Sequence, residues 1–303
     1  MKTTLHIVGG GAIGSLIAMG AQKHGVNYAL YPRNVSSAPR KGYWLNGEPL
    51  LLANAKPRPC YPSSDDVVVI PLKVYQLAEA LTSWLPYLRN KPTVVLLHNG
   101  MGGLEIAENI LPKDYPLLVA TTSHGAYKKN EGNGDYEVIY TGLGKTQIGA
   151  PNKGITAATC HKVVTLLNGV LPPFEYRQDI LSALWAKLSI NAVINPLTAL
   201  NNIKNKHIAD AQFASVREAL CEEFSIVANA CGINVDAQTV HENVLSVAKA
   251  TGENYSSMHQ DVAHGRQTEI DAINGYIVDM ATKKGIVVPE NTLLVKRVKA
   301  LKR

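Results

Sequence analysis

Cysteine, aromatic residues and charge are all sparse in this sequence. Its four cysteines, Cys60, Cys160, Cys221 and Cys231, form no CxxC pair and no metal-ligand spacing. A chain of 303 residues can bury a core without covalent staples, so free thiols in a reducing compartment are expected, and no metal. Aromatic side chains make up 6% of the chain and do not alternate with basic ones, so there is no stacking platform for single-stranded nucleic acid. Charged residues are only 18%, against 46% hydrophobic, which is the balance of a globular protein and not of a disordered one. No apolar run approaches the ~20 residues of a membrane span. The run Leu5 to Val8 is interrupted by His6 and ends in glycines, unlike a secretory leader. A cytoplasmic protein without a membrane partner is expected.

The formal net charge is +6, yet the basic residues are scattered apart from Lys296, Arg297, Lys299, Lys302 and Arg303 near the C-terminus. That cluster falls on a predicted final helix and reads as a solvated face, so no nucleic-acid partner is expected.

What the first half contains is alternation. Thr4 to Val8, Asn27 to Tyr31, Val67 to Ile70, Thr93 to Leu97 and Leu117 to Ala120 read as buried strands. Ala12 to Lys23 and Val74 to Leu85 have helical spacing between them. Strands alternating with helices imply parallel βαβ units covered on both faces. Beyond about residue 178 the pattern becomes helical: Leu181 to Leu200, His207 to Ala230, Thr239 to Ala250, Gln267 to Lys284 and Glu290 to Leu301. An α/β domain over residues 1–178 and an all-α domain over 179–303 are therefore expected.

Gly9-x-Gly11-x-x-Gly14 lies between the first predicted strand and its helix. There the first glycine permits a tight turn, the second lets a pyrophosphate approach the backbone, and the third lets helix pack on strand. The N–H groups of the first turn, at Ala12, Ile13 and Gly14, then face the phosphates. The end of the second strand refines this. Leu30-Tyr31-Pro32-Arg33-Asn34 contains no acid to bind a ribose diol, and Arg33, 24 positions after Gly9, suits a 2′-phosphate. NADP is expected over NAD.

Three further strings do not look like ordinary core. His98-Asn99-Gly100-Met101-Gly102 follows a strand end, where ligands sit in open α/β sheets. Lys187, Asn191 and Asn195 recur every four residues and share one helix face among apolar neighbours, where polar groups need partners. Asn254-Tyr255-Ser256-Ser257-Met258-His259-Gln260-Asp261 leads into Arg266-Gln267-Thr268-Glu269-Ile270-Asp271-Ala272-Ile273-Asn274-Gly275, with Asn254, Ser257 and Asp261 expected on one helix face. Together with the glycine loop, these strings resemble the ketopantoate reductase (2-dehydropantoate 2-reductase) family from Lys2 to about Asn291. The resemblance implies a Rossmann-type N-terminal domain with a mainly parallel sheet, an all-α C-terminal domain and an active site in the cleft between them.

It also implies roles. Lys187 would donate a proton to the keto oxygen, Asn191 and Asn195 would orient the substrate, and Ser257 would bind its carboxylate with Asn254 in support. Glu269 would bond the substrate hydroxyl, unless it is a salt-bridge partner of Arg266. Asp261 would at most fix the position of Lys187. Asn99 and Lys73 would lie near the cofactor, and Asn99 near the substrate as well. Glu290, after Pro289 at a helix start, would lie near the adenosine. His98 and His124 read as structural. Gly10 stands where a cysteine or alanine is common, and Lys128 to Asp135 reads as a polar loop insertion. The implied activity is NADPH-dependent reduction of ketopantoate to pantoate in coenzyme A synthesis, by a monomer or homodimer. A reductase of another branched 2-keto acid, or an NADP-binding regulator without chemistry, is the alternative.

Overall fold

The structure, a computed structural model, describes residues 3–130, 136–152 and 154–301. It divides into two compact units, one formed by Met1–His98 with Gly103–Ile180, the other by Asn99–Gly102 with Leu181–Arg303.

The first unit runs β1 (Leu5–Val8), α1 (Ala12–Lys23), β2 (Tyr28–Tyr31), β3 (Lys41–Tyr43), β4 (Pro49–Leu51), β5 (Val67–Ile70), α2 (Val74–Trp84), β6 (Thr93–Leu97), α3 (Gly103–Ile110), β7 (Leu117–Thr122), β8 (Gly125–Asn130), β9 (Tyr136–Gly142), β10 (Thr146–Gly149), α4 (Ala157–Asn168) and β11 (Phe174–Tyr176). Seven strands form one sheet in the order β11-β10-β7-β6-β5-β1-β2. The run β7-β6-β5-β1-β2 is parallel throughout, and β10 joins β7 antiparallel. Every residue of β1, β2, β5 and β6 is buried, as the continuous apolar runs require of strands covered on both faces.

A second sheet, β4-β3-β9-β8, has no counterpart in the sequence expectations. It lies against α1, with Val138 and Tyr140 joining Leu16, Ile17 and Met19 in one buried cluster. The expected loop insertion from Lys128 is corrected here. Lys128, Lys129 and Asn130 are strand residues, paired with Val138, Glu137 and Tyr136. The remainder of that expected loop, 131–135, lies outside the described residues.

The second unit is helical among the described residues: α5 (Ile180–Asn201), α6 (Ala214–Ala230), α7 (Ala237–Ala250), α8 (Ser257–Ala263), α9 (Tyr276–Lys284) and α10 (Pro289–Ala300). The expected helix from His207 begins as short 3-10 turns, Asn205–Ala209 and Ala211–Phe213. The expected helix from Gln267 opens as a π-helical turn, Asp271–Gly275. Asn254 does not share the helix face of Ser257 and Asp261. Its N–H closes a turn onto Thr251 O, and the helix starts only where the Ser256 hydroxyl accepts the His259 N–H.

One helix also corrects the expectation about apolar segments. At 22 residues, α5 is long and apolar enough to cross a membrane by length and composition, and 61% of its most apolar window is buried inside the structure. A helix that is largely apolar on most of its faces is what a core position demands. In the basic cluster Lys299 pairs with Asp271 at 2.5 Å, while Lys302 and Arg303 lie outside the described residues.

Candidate active site

The glycine loop has the shape a dinucleotide needs. Gly9 adopts φ +115°, and a Cβ there would stand 2.4 Å from Leu72 Cδ2. A Cβ on Gly14 would stand 2.0 Å from Gly9 O, so only glycine allows α1 to approach β1 this closely. At Gly11 the situation reverses: it is exposed, and among the described residues a Cβ would meet no atom within 4 Å beyond its chain neighbours. Gly11 is the N-cap of α1, no side chain of the described residues caps it, and the first turn holds no acid. The first-turn N–H groups, including those of Ala12, Ile13 and Gly14, thus have no intrahelical acceptor, at the positive end of the helix dipole. The loop therefore fits a pyrophosphate.

Lys128 was not anticipated at this loop. Its Nζ donates to Gly10 O at 3.3 Å, as does Ser15 Oγ at 3.3 Å. In a trans peptide the carbonyl and the next N–H point in opposite directions, so these bonds fix where the Gly11 N–H points. Burial lowers the Lys128 pKa. Because Lys128 sits in a polar stretch without strand alternation, no sequence signal marked it.

Arg33 follows β2 with its side chain 86% exposed, 3.5 Å from Glu79 Oε1 on α2. Lys73 is the N-cap of α2, and its N–H donates to Gln76 Oε1 at 3.3 Å. His124 Nδ1 accepts the Gly144 N–H at 3.2 Å and lies 2.7 Å from the Tyr140 hydroxyl, a structural arrangement.

In the second unit Lys187 is half-buried on α5, and its Nζ donates to Asn99 Oδ1 at 2.7 Å. Burial pulls the ammonium pKa down to about 8, against the opposing pull of the Glu269 carboxylate. Asn195 and Glu269 are buried and Asn191 half-buried. Asn99, Lys187 and Glu269 are thus brought together from segments far apart in the chain. Asn254 and Ser257 are exposed, just before and at the start of α8. Arg266, the alternative partner for Glu269, donates to Asp261 Oδ1 at 3.1 Å. Glu290 sits in the first turn of α10, where its N–H donates to Glu223 Oε1 at 2.8 Å. Glu223, a buried carboxylate, was also not anticipated, because nothing in its sequence neighbourhood marks it.

The family described as Ketopantoate reductase PanE/ApbA matches residues 5–153, and Ketopantoate reductase PanE/ApbA C terminal matches residues 179–302. A 2-dehydropantoate 2-reductase of Vibrio cholerae is 35% identical over 298 residues, covering 98% of this chain and 97% of the relative. The chain belongs to the ketopantoate reductase family. A family member from Pyrococcus horikoshii is 31% identical over 98% of this chain and 96% of its own. Among solved structures, a probable 2-dehydropantoate 2-reductase from Bacillus subtilis superposes with a TM-score of 0.79 at 27% identity, covering 99% of this chain and 100% of that one. D-mandelate dehydrogenase with NADH and anilino(oxo)acetate shares the fold, with a TM-score of 0.88 at 21% identity and 98% of each chain covered.

Proposed function

We propose that the protein reduces 2-dehydropantoate to (R)-pantoate with NADPH, and that Lys187 supplies the proton. The observation that carries this reading is the half-buried Lys187 ammonium, bonded to Asn99 at 2.7 Å and lowered to about 8, in a ketopantoate reductase chain. A bound nicotinamide supplies the hydride to the keto carbon. Lys187 gives its proton to the keto oxygen, and its charge stabilises the alkoxide as it forms. Asn191 and Asn195 orient the substrate from α5, Ser257 bonds the carboxylate with Asn254 beside it, and Glu269 accepts a bond from the substrate hydroxyl. Asn99 serves both substrate and nicotinamide ribose, with Lys73 on the cofactor side and Glu290 toward the adenosine.

On the cofactor, Gly9, Gly11 and Gly14 shape the loop, and the N–H groups of Ala12, Ile13 and Gly14 hold the pyrophosphate. Arg33 takes the 2′-phosphate, a choice supported by its exposed guanidinium and the lack of an acid from Leu30 to Asn34. Arg33→Ala should weaken NADPH about tenfold or more, as expected for a charge-assisted phosphate contact. NADH should stay within about twofold, since it lacks that phosphate. Fluorescence titration of each cofactor reads this, and an equal loss for both would remove Arg33 from the role.

The pH dependence has a definite sign. A proton donor must carry its proton, so kcat/KM should hold below the Lys187 pKa of about 8 and fall about tenfold per pH unit above it. A profile that stays level into the ordinary lysine range would rule Lys187 out as the donor.

Substrate choice tests the reading as a whole. A site that bonds the substrate hydroxyl should prefer 2-dehydropantoate to 2-oxoisovalerate, which lacks it, by at least ~10²-fold in kcat/KM. Equal rates would leave a reductase of branched 2-keto acids at large.

A further inference from the structure

The second unit contains a chain of buried polar contacts through Asn274, Asn291 and Glu223, side chains given no role above. Pro196 sits inside α5 and has no N–H, so Ala192 O, four residues back, lacks its helical donor. Asn274 supplies one. Its Nδ2 donates to Ala192 O at 2.8 Å and to Asn291 Oδ1 at 2.9 Å, using both amide protons. Asn291 Nδ2 donates in turn to Glu223 Oε2 at 2.7 Å. That carboxylate also accepts the N–H groups of Glu290 and Asn291, which closes the N-terminus of α10. Asn274 and Asn291 are completely buried.

Asn274 belongs to the π-helical turn, a local widening of the helix that often coincides with functional positions. This turn is hydrogen-bonded to each segment that carries the Lys187 group. Glu269 O accepts the N–H groups of Ala272 and Ile273 at 3.0 Å each. Ala272 O accepts the Met101 N–H at 2.8 Å, two residues from the Asn99 that bonds Lys187. Ala192, held by Asn274, lies between Asn191 and Asn195 on the helix that carries Lys187.

We propose that Asn274 is a positioning residue of this site: its paired bonds to Ala192 and Asn291 hold the Glu269 turn, the Asn99 segment and the Lys187 helix in one register. The proposal rests on Lys187 and Glu269 being groups that meet the substrate. A side chain that only filled the core would set stability and leave the surroundings of the ammonium unchanged. Asn274 instead governs how far the Glu269 carboxylate lies from Lys187. The other charged groups of these segments are already paired, Asp261 with Arg266 and Asp271 with Lys299.

Asn274→Leu keeps the volume but leaves Ala192 O and Asn291 Oδ1 without their donor, which lowers stability. Adding Pro196→Ala returns a backbone N–H to Ala192 O and recovers part of that loss without restoring the tie to the turn. Asn274→Ser is the milder variant if either of these fails to fold. The measurements are Tm, kcat and KM for 2-dehydropantoate, the NADPH dissociation constant, and the pH midpoint of Lys187 acylation in cofactor-free protein, read by peptide mass spectrometry. In the folded double variant kcat should fall about tenfold or more while NADPH binding changes less than about twofold. The acylation midpoint should move by about half a pH unit or more. Wild-type kcat with an unmoved midpoint in any folded variant would overturn the proposal. If the wild-type protein does not reduce 2-dehydropantoate, the functional reading fails, and the acylation midpoint still decides the role of Asn274.

Discussion

Lys187→Ala should lower kcat for 2-dehydropantoate by about 10²–10⁴, the usual worth of a positioned acid, while the NADPH dissociation constant stays near wild type. The loss combines two effects. The keto oxygen loses its proton source, and the developing alkoxide loses the positive charge next to it. Lys187→Arg separates them, because a guanidinium keeps the charge but does not release a proton near neutral pH. It should restore little of kcat, and the alkaline fall above about pH 8 should vanish from whatever activity remains. Steady-state kinetics across pH reads both variants, and near-normal turnover by Lys187→Ala would mean that another group supplies the proton.

The second large effect is a contrast within the glycine loop. Gly11→Ala adds a methyl group where no atom of the other described residues, its chain neighbours aside, lies within 4 Å, at an N-cap whose φ of −71° suits any residue. Its stability should stay within about 0.5 kcal/mol of wild type. NADPH affinity should nevertheless fall at least about tenfold, because the methyl occupies the space the pyrophosphate approaches through. Gly14→Ala places its methyl 2.0 Å from Gly9 O, so α1 must move away from the strand. Stability should drop by roughly 1–3 kcal/mol, the usual penalty of overpacking, and NADPH affinity should fall with it. Denaturant unfolding alongside cofactor titration separates the two. If Gly11→Ala binds NADPH normally, the loop is not the pyrophosphate site.

The parts of the molecule built from local pattern could be read in the sequence. β1, α1 and β2 follow from an apolar run, a glycine turn and a helical repeat, and Lys187, Asn191 and Asn195 share a helix because four-residue spacing makes them do so. The second sheet could not be read. β3 and β4 are three residues long, and Leu51 is exposed, so neither strand offers an alternating apolar face. The π-helical turn was hidden for a related reason, since one extra residue in a coil leaves no periodic trace. Lys128 at Gly10, and the chain Ala192–Asn274–Asn291–Glu223, join residues 17 to 118 positions apart. Such contacts arise from tertiary packing, and the composition around each partner does not reveal them. α5 was legible as a helix from its spacing, while its core position gives it the length and composition of a membrane segment.

The most direct measurement of the central claim is product stoichiometry. Purified protein is incubated with NADPH and 2-dehydropantoate, and the product is identified by chiral chromatography with mass spectrometry. The reading predicts (R)-pantoate formed mole for mole with NADPH consumed, and none with Lys187→Ala on the same timescale. NADPH consumption without pantoate, or no consumption by folded protein, would contradict it.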